Sequence, residues 1–266
     1  MSTLSFENQI VWITGASSGI GEAVAYEMAR LGARLVLSAR REGELNRVKE
    51  ACEGPHRHLV YPVDLSDASK LAATTEDLRS RVGEIDVFVH SSGMSMRSLA
   101  ENTSLDVDRQ LMELNYFSAV AIAKALLPSM LERGSGHFVP ISSVSGKIGT
   151  PLRTAYCASK HALHGFFDAL RAEYEGKGIK VTLVTPGYVR TAISYNALKG
   201  DGSKHGVMDR SIQRGISPAE CASAIARGVR RGEHEVLVGG TETLGVYLKR
   251  FFPSIAARVV RNVNQP

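Results

Sequence analysis

The chain has 266 residues, of which 44% are hydrophobic and 22% are charged, which is the composition of an ordinary globular protein. Its three cysteines are too few and too scattered for a disulfide scaffold or a cysteine-rich zinc site, and they favour a reducing, cytoplasmic location. Most of the net charge of +5 belongs to residues 243–266, which carry four basic residues and no acid. The rest of the chain is nearly neutral, which argues against a nucleic-acid-binding surface there.

Targeting, membrane and metal signals are missing from the sequence. The polar residues 1–9 lead directly into the first apolar run and do not have the pattern of a signal peptide. The chain contains no run of about 18 apolar residues, so we expect no transmembrane helix. The histidines show no spacing typical of a metal site, and none is predicted.

Short apolar runs rich in β-branched residues alternate with helical spacing along the chain. The predicted strands are 9–14, 34–39, 58–62, 86–90, 138–141, 180–184 and 235–238. The predicted helices are 20–30, 43–50, 69–82, 105–132, 156–175 and 218–231. This alternation predicts an α/β fold, a single doubly wound Rossmann-like domain whose seven-stranded parallel sheet has helices on both faces. We assign residues 1–240 to its main body and residues 241–266 to a basic tail.

Residues 191–217 depart from this alternation. They follow the sixth predicted strand, show no clean period and include Gly200, Gly202 and Gly206. A segment of this kind at the carboxyl edge of a sheet is a candidate substrate lid. Its mixture of apolar and basic side chains suits an apolar substrate with an anionic group, and it suits an ordinary solvated loop equally well.

The tail is predicted to form two short amphipathic helices. Apolar residues recur at helical spacing from Leu244 to Val259, with basic residues beside them, and Pro253 is expected to break the helix. Such a tail is either a flap docked on the body or on a partner subunit, or a surface that makes peripheral contact with anionic lipid. Both interpretations stay open.

The segment 14–21, with the sequence TGASSGIG, joins the first predicted strand to the first predicted helix. This context is typical of a dinucleotide-binding turn: Gly15 permits the turn, Gly19 admits a pyrophosphate to the backbone, and Gly21 lets helix pack on strand. Unpaired amides and the positive end of the helix dipole would bind the phosphates. The residues predicted to contact the cofactor here are Gly15, Ser17, Ser18, Gly19, Ile20 and Gly21.

The same residues also match G-x-S-x-G, the nucleophile elbow of serine hydrolases, with Ser17 as the nucleophile. An elbow follows an established sheet, whereas this turn follows the first strand, so no earlier strand can supply an oxyanion loop. Gly21 would also have no role. The hydrolase is therefore the remote alternative.

The second predicted strand ends in Ala39, Arg40 and Arg41. A site for NAD usually places an acid here, to bind the adenosine ribose. A guanidinium instead matches the 2′-phosphate of NADP by its fork geometry and permanent charge. We therefore predict NADP(H) as the cofactor, with Arg40 as the main contact. A solvated helix start is the alternative for both arginines, and more so for Arg41.

A second group of polar residues surrounds the fifth predicted strand. Ser142 and Ser143 end the strand, and Tyr156 and Lys160 lie four residues apart, on one face of the next helix. An ammonium beside a phenol favours the phenolate and would lower the pKa of Tyr156 from its reference value of about 10. The tyrosine could then donate and accept a proton near neutral pH, while a serine hydroxyl holds a carbonyl oxygen.

Together these motifs resemble the short-chain dehydrogenase/reductase family over essentially the whole chain. The T-G-x-x-x-G-x-G motif of the family lies at 14–21 and its Y-x-x-x-K motif at 156–160. The resemblance selects Ser143, thirteen positions before Tyr156, as the catalytic serine, and it adds Asn115 as a fourth catalytic residue. It implies further cofactor contacts at Asp64, Leu65, Pro186, Gly187, Val189 and Thr191, of which the last two would face the nicotinamide.

The resemblance also implies an activity: reduction of a hydrophobic, lipid-like ketone or aldehyde by NADPH, reversible as alcohol oxidation, in a homodimer or homotetramer. Tyr156 would protonate the carbonyl oxygen, and Ser143 would hydrogen-bond to it. Lys160 would lower the pKa of the tyrosine and hold the nicotinamide ribose, and Asn115 would support a proton-relaying water. A non-catalytic protein that binds a dinucleotide or a lipid is the other interpretation, although binding alone does not require all four residues.

One motif departs from the family pattern. The usual N-N-A-G after the fourth strand is here His90, Ser91, Ser92 and Gly93. The glycine is kept, so a close approach to the cofactor is expected there, and the two serines are predicted to replace some hydrogen bonds of the asparagines. We expect His90 to pack or to hydrogen-bond at the strand end rather than to act as an acid or base.

Parts of the chain resemble a narrower branch of the family, that of dehydrogenase/reductase member seven B. They are residues 124–130 in the long helix, 196–198 and 201–209 in the lid, and 246–248 in the tail.

Overall fold

The computed structural model describes residues 6–261 as alternating strands and helices. The strands are β1 (Ile10–Thr14), β2 (Arg34–Ser38), β3 (Leu59–Val60), β4 (Val87–His90), β5 (Gly136–Pro140), β6 (Ile179–Val181), β7 (Leu183–Pro186) and β8 (Glu235–Val238). The helices are α1 (Gly19–Arg30), α2 (Glu42–Ala51), α3 (Leu71–Val82), α4 (Leu105–Met112), α5 (Ser118–Arg133), α6 (Thr154–Glu173), α7 (Arg210–Gln213), α8 (Pro218–Arg231), α9 (Leu244–Phe251) and α10 (Pro253–Arg261).

The strands form a parallel sheet in the order β3-β2-β1-β4-β5-β6, and β7 pairs with β8 in parallel beside it. The predicted fold class is confirmed, but the predicted count of seven strands is wrong. The sixth predicted strand divides at Thr182, because the chain there changes its hydrogen-bonding partner from β5 to β8. A single bridge between Ile141 and Val184 keeps the two sheets in line.

Two hydrophobic layers cover the sheet, and the side chains of each strand alternate between them. Trp12, Phe88 and Phe138 face the layer that contains α3, α5 and α6. Val11 and Ile13, their neighbours on β1, face the layer that contains α1 and α8. Since full burial of one such side chain stabilises the fold by about 1.5–3 kcal/mol, these two layers hold the sheet rigid.

The long helix predicted at 105–132 is interrupted. A π-helical turn, Glu113–Phe117, separates α4 from α5 and contains the buried Asn115. The π turn widens the helix locally, and such turns are frequent at functional sites. By length and composition the whole segment 105–133 could cross a membrane, but half of its most apolar window is buried inside the protein, as in a core helix.

The tail forms two helices, as predicted, and α10 begins at Pro253. Ala256 is buried, and several large apolar side chains on the other faces of α9 and α10 are exposed. Residues 262–266 of the tail lie outside the described residues.

Trp12 should be one of the most important single contributors to stability. It is fully buried, its ring lies 5.3 Å from that of Phe88, and its indole N–H donates to Ser38 Oγ at 2.9 Å. We expect Trp12→Ala to lower the free energy of unfolding by about 3–5 kcal/mol, measured by urea denaturation followed by circular dichroism.

The matched control is Phe251→Ala, since Phe251 is 69% exposed. That change should stay within about 0.5 kcal/mol of the wild type. Equal losses in the two variants would contradict the assigned core.

Candidate active site

A cleft of about 710 Å³ opens at the carboxyl edge of the sheet. Ligands of doubly wound sheets bind at this edge, because the loops and helix N-termini that follow the strands converge there. All predicted site residues except Gly21 and Asn115 line the cleft. These lining residues are Gly15, Ser17, Ser18, Gly19, Ile20, Arg40, Asp64, Leu65, Ser91, Ser92, Gly93, Ser143, Tyr156, Lys160, Pro186, Gly187, Val189 and Thr191.

The turn between β1 and α1 has the geometry of a phosphate cradle. Gly15 and Gly19 have φ angles of +68° and +62°, a conformation that other residues rarely adopt. A Cβ atom at Gly15 would lie only 2.7 Å from the backbone nitrogen of Ser92. Ser18 caps α1 without a side-chain hydrogen bond, so the cap leaves the amides of the first helical turn to a ligand.

Gly21 lies behind this turn and does not line the cleft, and its contact with a cofactor stays a prediction. A side chain at Gly21 would collide with the carbonyl oxygen of Gly15. The glycine therefore acts by letting α1 pack closely against the turn, which is the role its spacing indicates.

Two guanidinium groups stand where β2 ends. Arg40 and Arg41 are both exposed, and both line the cleft beside Ala39. Arg41 Nη2 lies 3.4 Å from Ser17 Oγ, so its side chain reaches the phosphate turn. Sequence reasoning gave Arg41 too little weight, because adjacency in sequence does not show which of two arginines turns towards the loop.

The loops after β3 and β7 form the side walls of the cleft. Leu65 is buried, and Asp64 accepts a hydrogen bond from the amide of Ser66 at 3.0 Å. Beyond Pro186, the amide of Gly187 donates to Val238 at 2.8 Å, which fixes the start of this wall.

The second half of that wall approaches the phosphate turn. Val189 is buried, and a Cβ atom at Gly19 would lie 3.2 Å from Thr191 Cγ2. The wall after β7 and the turn after β1 therefore meet across the cleft.

The His90–Gly93 segment supplies structure rather than an acid or base. His90 is buried with its Nδ1 3.2 Å from Thr14 Oγ1, and burial lowers its pKa to about 3. The ring is therefore neutral at physiological pH, as expected of a histidine that packs at a strand end. The amide of Ser91 donates to Thr14 at 3.2 Å, which joins the loop to β1.

Gly93 leaves room for two side chains of the site. A Cβ atom there would lie 3.1 Å from Asn115 Oδ1 and 3.4 Å from Lys160 Nζ. Asn115 accepts from the amide of Met94 at 2.9 Å and donates to its carbonyl at 3.0 Å. Its Nδ2 also donates to Ser159 Oγ at 2.9 Å. The amide of Asn115 thus holds the loop after β4 against α6.

Tyr156 and Ser143 meet on the floor of the cleft. Burial raises the pKa of Tyr156 above its usual value, and the hydrogen bond with Ser143 and the positive charges of Arg153 and Arg97 only partly oppose this. The prediction of a lowered pKa is therefore wrong for this cleft, because desolvation of the phenolate outweighs the nearby positive charge. Tyr156 is a neutral phenol at physiological pH.

Lys160 is buried beside the tyrosine. Its Nζ donates to the carbonyl oxygen of Ile141 at 2.9 Å and lies 5.9 Å from the centre of the Tyr156 ring. Burial lowers the pKa of Lys160 to about 8. The ammonium therefore keeps its charge at neutral pH and loses it under mildly basic conditions.

Sequence reasoning missed an ion cluster at the lid. Arg97 and Arg153 line the cleft, and both bind Asp209 of the lid, at 2.5 Å and 3.0 Å from its Oδ2. Burial acts to raise the pKa of Asp209, but the two arginines bring it below its usual value. No motif indicates this cluster, because its three residues come from separate segments.

Neither a serine hydrolase nor a metal site is favoured. Among residues 6–261, no histidine lines the cleft, so Ser17 has no imidazole base there. In the same range, no group of three or more histidine, cysteine, aspartate or glutamate residues could hold a metal ion.

Comparison with known proteins gives consistent matches. The family described as short chain dehydrogenase matches residues 9–201. Dehydrogenase/reductase SDR family protein 7-like from Anopheles gambiae is 43% identical over 254 residues, which cover 93% of this chain and 80% of that protein. Dehydrogenase/reductase SDR family member 7B from Danio rerio is 40% identical over 264 residues, which cover 96% of this chain and 85% of that protein.

A solved structure agrees with these matches. The crystal structure of a short-chain dehydrogenase from Streptomyces avermitilis has a TM-score of 0.81 and 30% identity, and the match covers 94% of this chain and 95% of that one. The fold class and the resemblance to the seven B branch are thereby confirmed. With its family motifs lining one cleft, this chain belongs to the short-chain dehydrogenase/reductase family of oxidoreductases.

Proposed function

We propose that the protein is an NADPH-dependent carbonyl reductase that also runs in reverse as an alcohol dehydrogenase. The observation that carries this proposal is the layout of the cleft. A phosphate cradle lies at one end, and a neutral tyrosine beside a buried lysine lies at the other. A dinucleotide that spans the cleft would bring its nicotinamide to the tyrosine.

The residues present fit such a cofactor. Gly15 and Gly19 adopt the positive φ angles of the turn, and Ser18 makes no side-chain cap hydrogen bond, so the first amides of α1 stay available to the pyrophosphate. The wall from Pro186 to Thr191 would flank the nicotinamide, and Asp64 and Leu65 would flank the adenine. When bound, the cofactor supplies the hydride, and the protein supplies orientation and electrostatics.

Tyr156 and Ser143 would act on the carbonyl oxygen of the substrate. Because burial keeps Tyr156 protonated, its hydroxyl can donate a proton to that oxygen as the carbonyl carbon is reduced. Ser143, already hydrogen-bonded to Tyr156, would donate to the same oxygen and hold it in place. A protonated tyrosine is the form that carbonyl reduction requires.

Lys160 would stabilise the charge of the tyrosine, and Asn115 would position Lys160. The positive charge of Lys160 would stabilise the phenolate left after proton transfer and would hold the nicotinamide ribose. Asn115 would position Lys160 through the Met94 backbone and through Ser159, the residue before the lysine. Its two amide protons are already donated within the protein, so we assign it a positioning role and not a direct proton transfer.

The two arginines at the end of β2 support the choice of NADPH. Both are exposed at the cleft, so a 2′-phosphate can be neutralised there without desolvating a buried charge. Ala39 carries no charge that would repel a phosphate. Arg40 would bind the 2′-phosphate directly. Arg41, whose Nη2 lies beside Ser17 Oγ, would link the phosphate to the turn between β1 and α1.

Apolar side chains in the cleft support a hydrophobic ketone or aldehyde as substrate. The lining includes Met94, Leu114, Val144, Ile193 and Leu198, together with charged residues such as Arg97, Arg153 and Lys204. A non-catalytic dinucleotide- or lipid-binding protein is not favoured, because Ser143, Tyr156 and Lys160 all line one cleft and Asn115 is hydrogen-bonded to Ser159 behind it. Oxidation of NADPH by this protein, measured over a panel of carbonyl compounds, decides between a reductase and a non-catalytic binding protein.

Cytoplasmic location and a homo-oligomeric state stay predictions.

Loss of the phenol should abolish proton donation. We expect Tyr156→Phe to bind NADPH nearly as the wild type does and to lower kcat by about two to four powers of ten, measured as NADPH oxidation with a carbonyl substrate. The control Tyr247→Phe removes a hydroxyl from a tail residue that is 55% exposed, and it should keep full turnover. Near-normal turnover in Tyr156→Phe would remove this residue from the mechanism.

Arg40 should set most of the cofactor preference. A charge-assisted hydrogen bond contributes about 1.5–3 kcal/mol, so we expect kcat/KM to favour NADPH over NADH by about tenfold to a hundredfold. Arg40→Ala should lose most of this ratio by weakening NADPH alone, and Ala39→Asp combined with Arg40→Ala should reverse it.

Arg41→Ala is the matched comparison, because it removes the neighbouring guanidinium. A larger loss in Arg41→Ala than in Arg40→Ala would move the phosphate contact to Arg41. An unchanged ratio in both variants would contradict the assignment of NADPH.

Lys160 should impose a basic limit on activity. Its charged form prevails below its pKa of about 8, so kcat/KM for NADPH should fall as the pH rises through about 8. Tyr156 stays protonated in that range, because burial raises its pKa. Lys204→Gln, which removes an exposed lysine from the cleft, should still show the fall of kcat/KM as the pH rises through about 8. A profile that is flat through pH 8 would contradict this role of the lysine.

A further inference from the structure

The tail presents an apolar surface that the rest of the structure leaves uncovered. Six of the eleven exposed large apolar side chains among residues 6–261 lie in α9, in α10 or at the junction between them. They are Leu244, Tyr247, Phe251, Phe252, Ile255 and Val259, between 50% and 69% exposed, and we call this set the α9–α10 face.

The spacing of these residues makes the face continuous. Leu244, Tyr247 and Phe251 lie three and four residues apart on α9, and Ile255 and Val259 lie four apart on α10, so each set forms one stripe. The opposite side of the tail holds it to the body, since a Cβ atom at Gly245 would lie 3.0 Å from Ile148 Cδ1. The tail is therefore already docked, and it is the outward side that is apolar.

Basic residues lie beside the α9–α10 face. Arg250, next to Phe251, and Arg258, next to Val259, are exposed. Lys249 is also exposed, four residues after Gly245 and therefore on the other side of α9, and residues 243–266 contain no acid. Helices with an aromatic and aliphatic face bordered by lysine and arginine lie in the interface of anionic membranes. The apolar rings enter the headgroup region, and the cations bind lipid phosphates.

Charge argues against a second copy of this chain as the occupant. A symmetric dimer brings the same patch of both subunits together, so the basic residues of two tails would come close to one another, and residues 243–266 supply no acid to pair with them. An anionic lipid surface complements both the apolar and the basic residues.

We propose that the α9–α10 face docks the protein peripherally on an anionic lipid surface. The docked face begins at the rim of the cleft, because Glu242 lines the cleft and accepts from the amide of Tyr188 at 2.7 Å, two residues before α9. The proposal concerns lipid binding alone, so it does not depend on the reaction proposed above.

The test is flotation of the full chain with lipid vesicles. Wild type should float with vesicles of phosphatidylcholine and phosphatidylglycerol, and much less with phosphatidylcholine alone. Lys249→Gln, Arg250→Gln and Arg258→Gln together should lower the partition coefficient on anionic vesicles by about a hundredfold. Phe251→Ser should also weaken binding, and added salt should weaken the wild type.

The matched control replaces three exposed basic residues elsewhere, Arg34→Gln, Lys124→Gln and Lys177→Gln, which changes the net charge equally. It should bind far more tightly than the tail triple variant. Equal binding of the two triple variants, or no flotation of the wild type, overturns the proposal. A wild-type dimer that Phe251→Ser converts to a monomer, with flotation unchanged, overturns it in favour of a second copy. Thermal unfolding of each variant checks that it is folded.

Discussion

The side-chain amide of Asn115 is the contact on which the catalytic end of the cleft depends. It binds both backbone polar groups of Met94 and the hydroxyl of Ser159, so one side chain joins the loop after β4 to α6. Asn115 and Ser159 are buried and Met94 is half-buried, and an unpaired buried polar group costs about 1–3 kcal/mol. The π turn contains Asn115, and the absence of a side chain at Gly93 leaves room for it.

The two ends of the cleft use charge in different ways. At the cofactor end, Arg40 and Arg41 stay in water, where a guanidinium is permanently charged and can bind a phosphate without a desolvation penalty. At the catalytic end, Tyr156 and Lys160 are buried. Desolvation raises the pKa of the tyrosine and lowers the pKa of the lysine, so it favours the neutral form of each. Burial thus prepares a neutral proton donor beside a cation that titrates near physiological pH.

The body and the tail differ in how far their apolar side chains are buried. In the body, alternate residues of each strand enter one of two covered layers, as Trp12 and Ile13 do. In α9 and α10, Phe251 and Ile255 find no such layer within residues 6–261 and remain exposed. An exposed apolar surface of this kind is typical of an interaction site, and this is the basis for the proposed lipid contact.

The sequence by itself determined the fold class and the order of most elements, because β-branched runs, helical periods and glycine turns are local signals. Local signals and family motifs together identified fewer than half of the residues that line the cleft. The sequence also placed Tyr156 and Lys160 on one helix face. Tertiary structure alone decided the interruption of the helix at Asn115, the division of the sheet at Thr182 and the Arg97–Asp209–Arg153 cluster. It also decided the direction of the Tyr156 pKa shift, since burial depends on what the whole fold packs around a residue, and no local pattern contains that information.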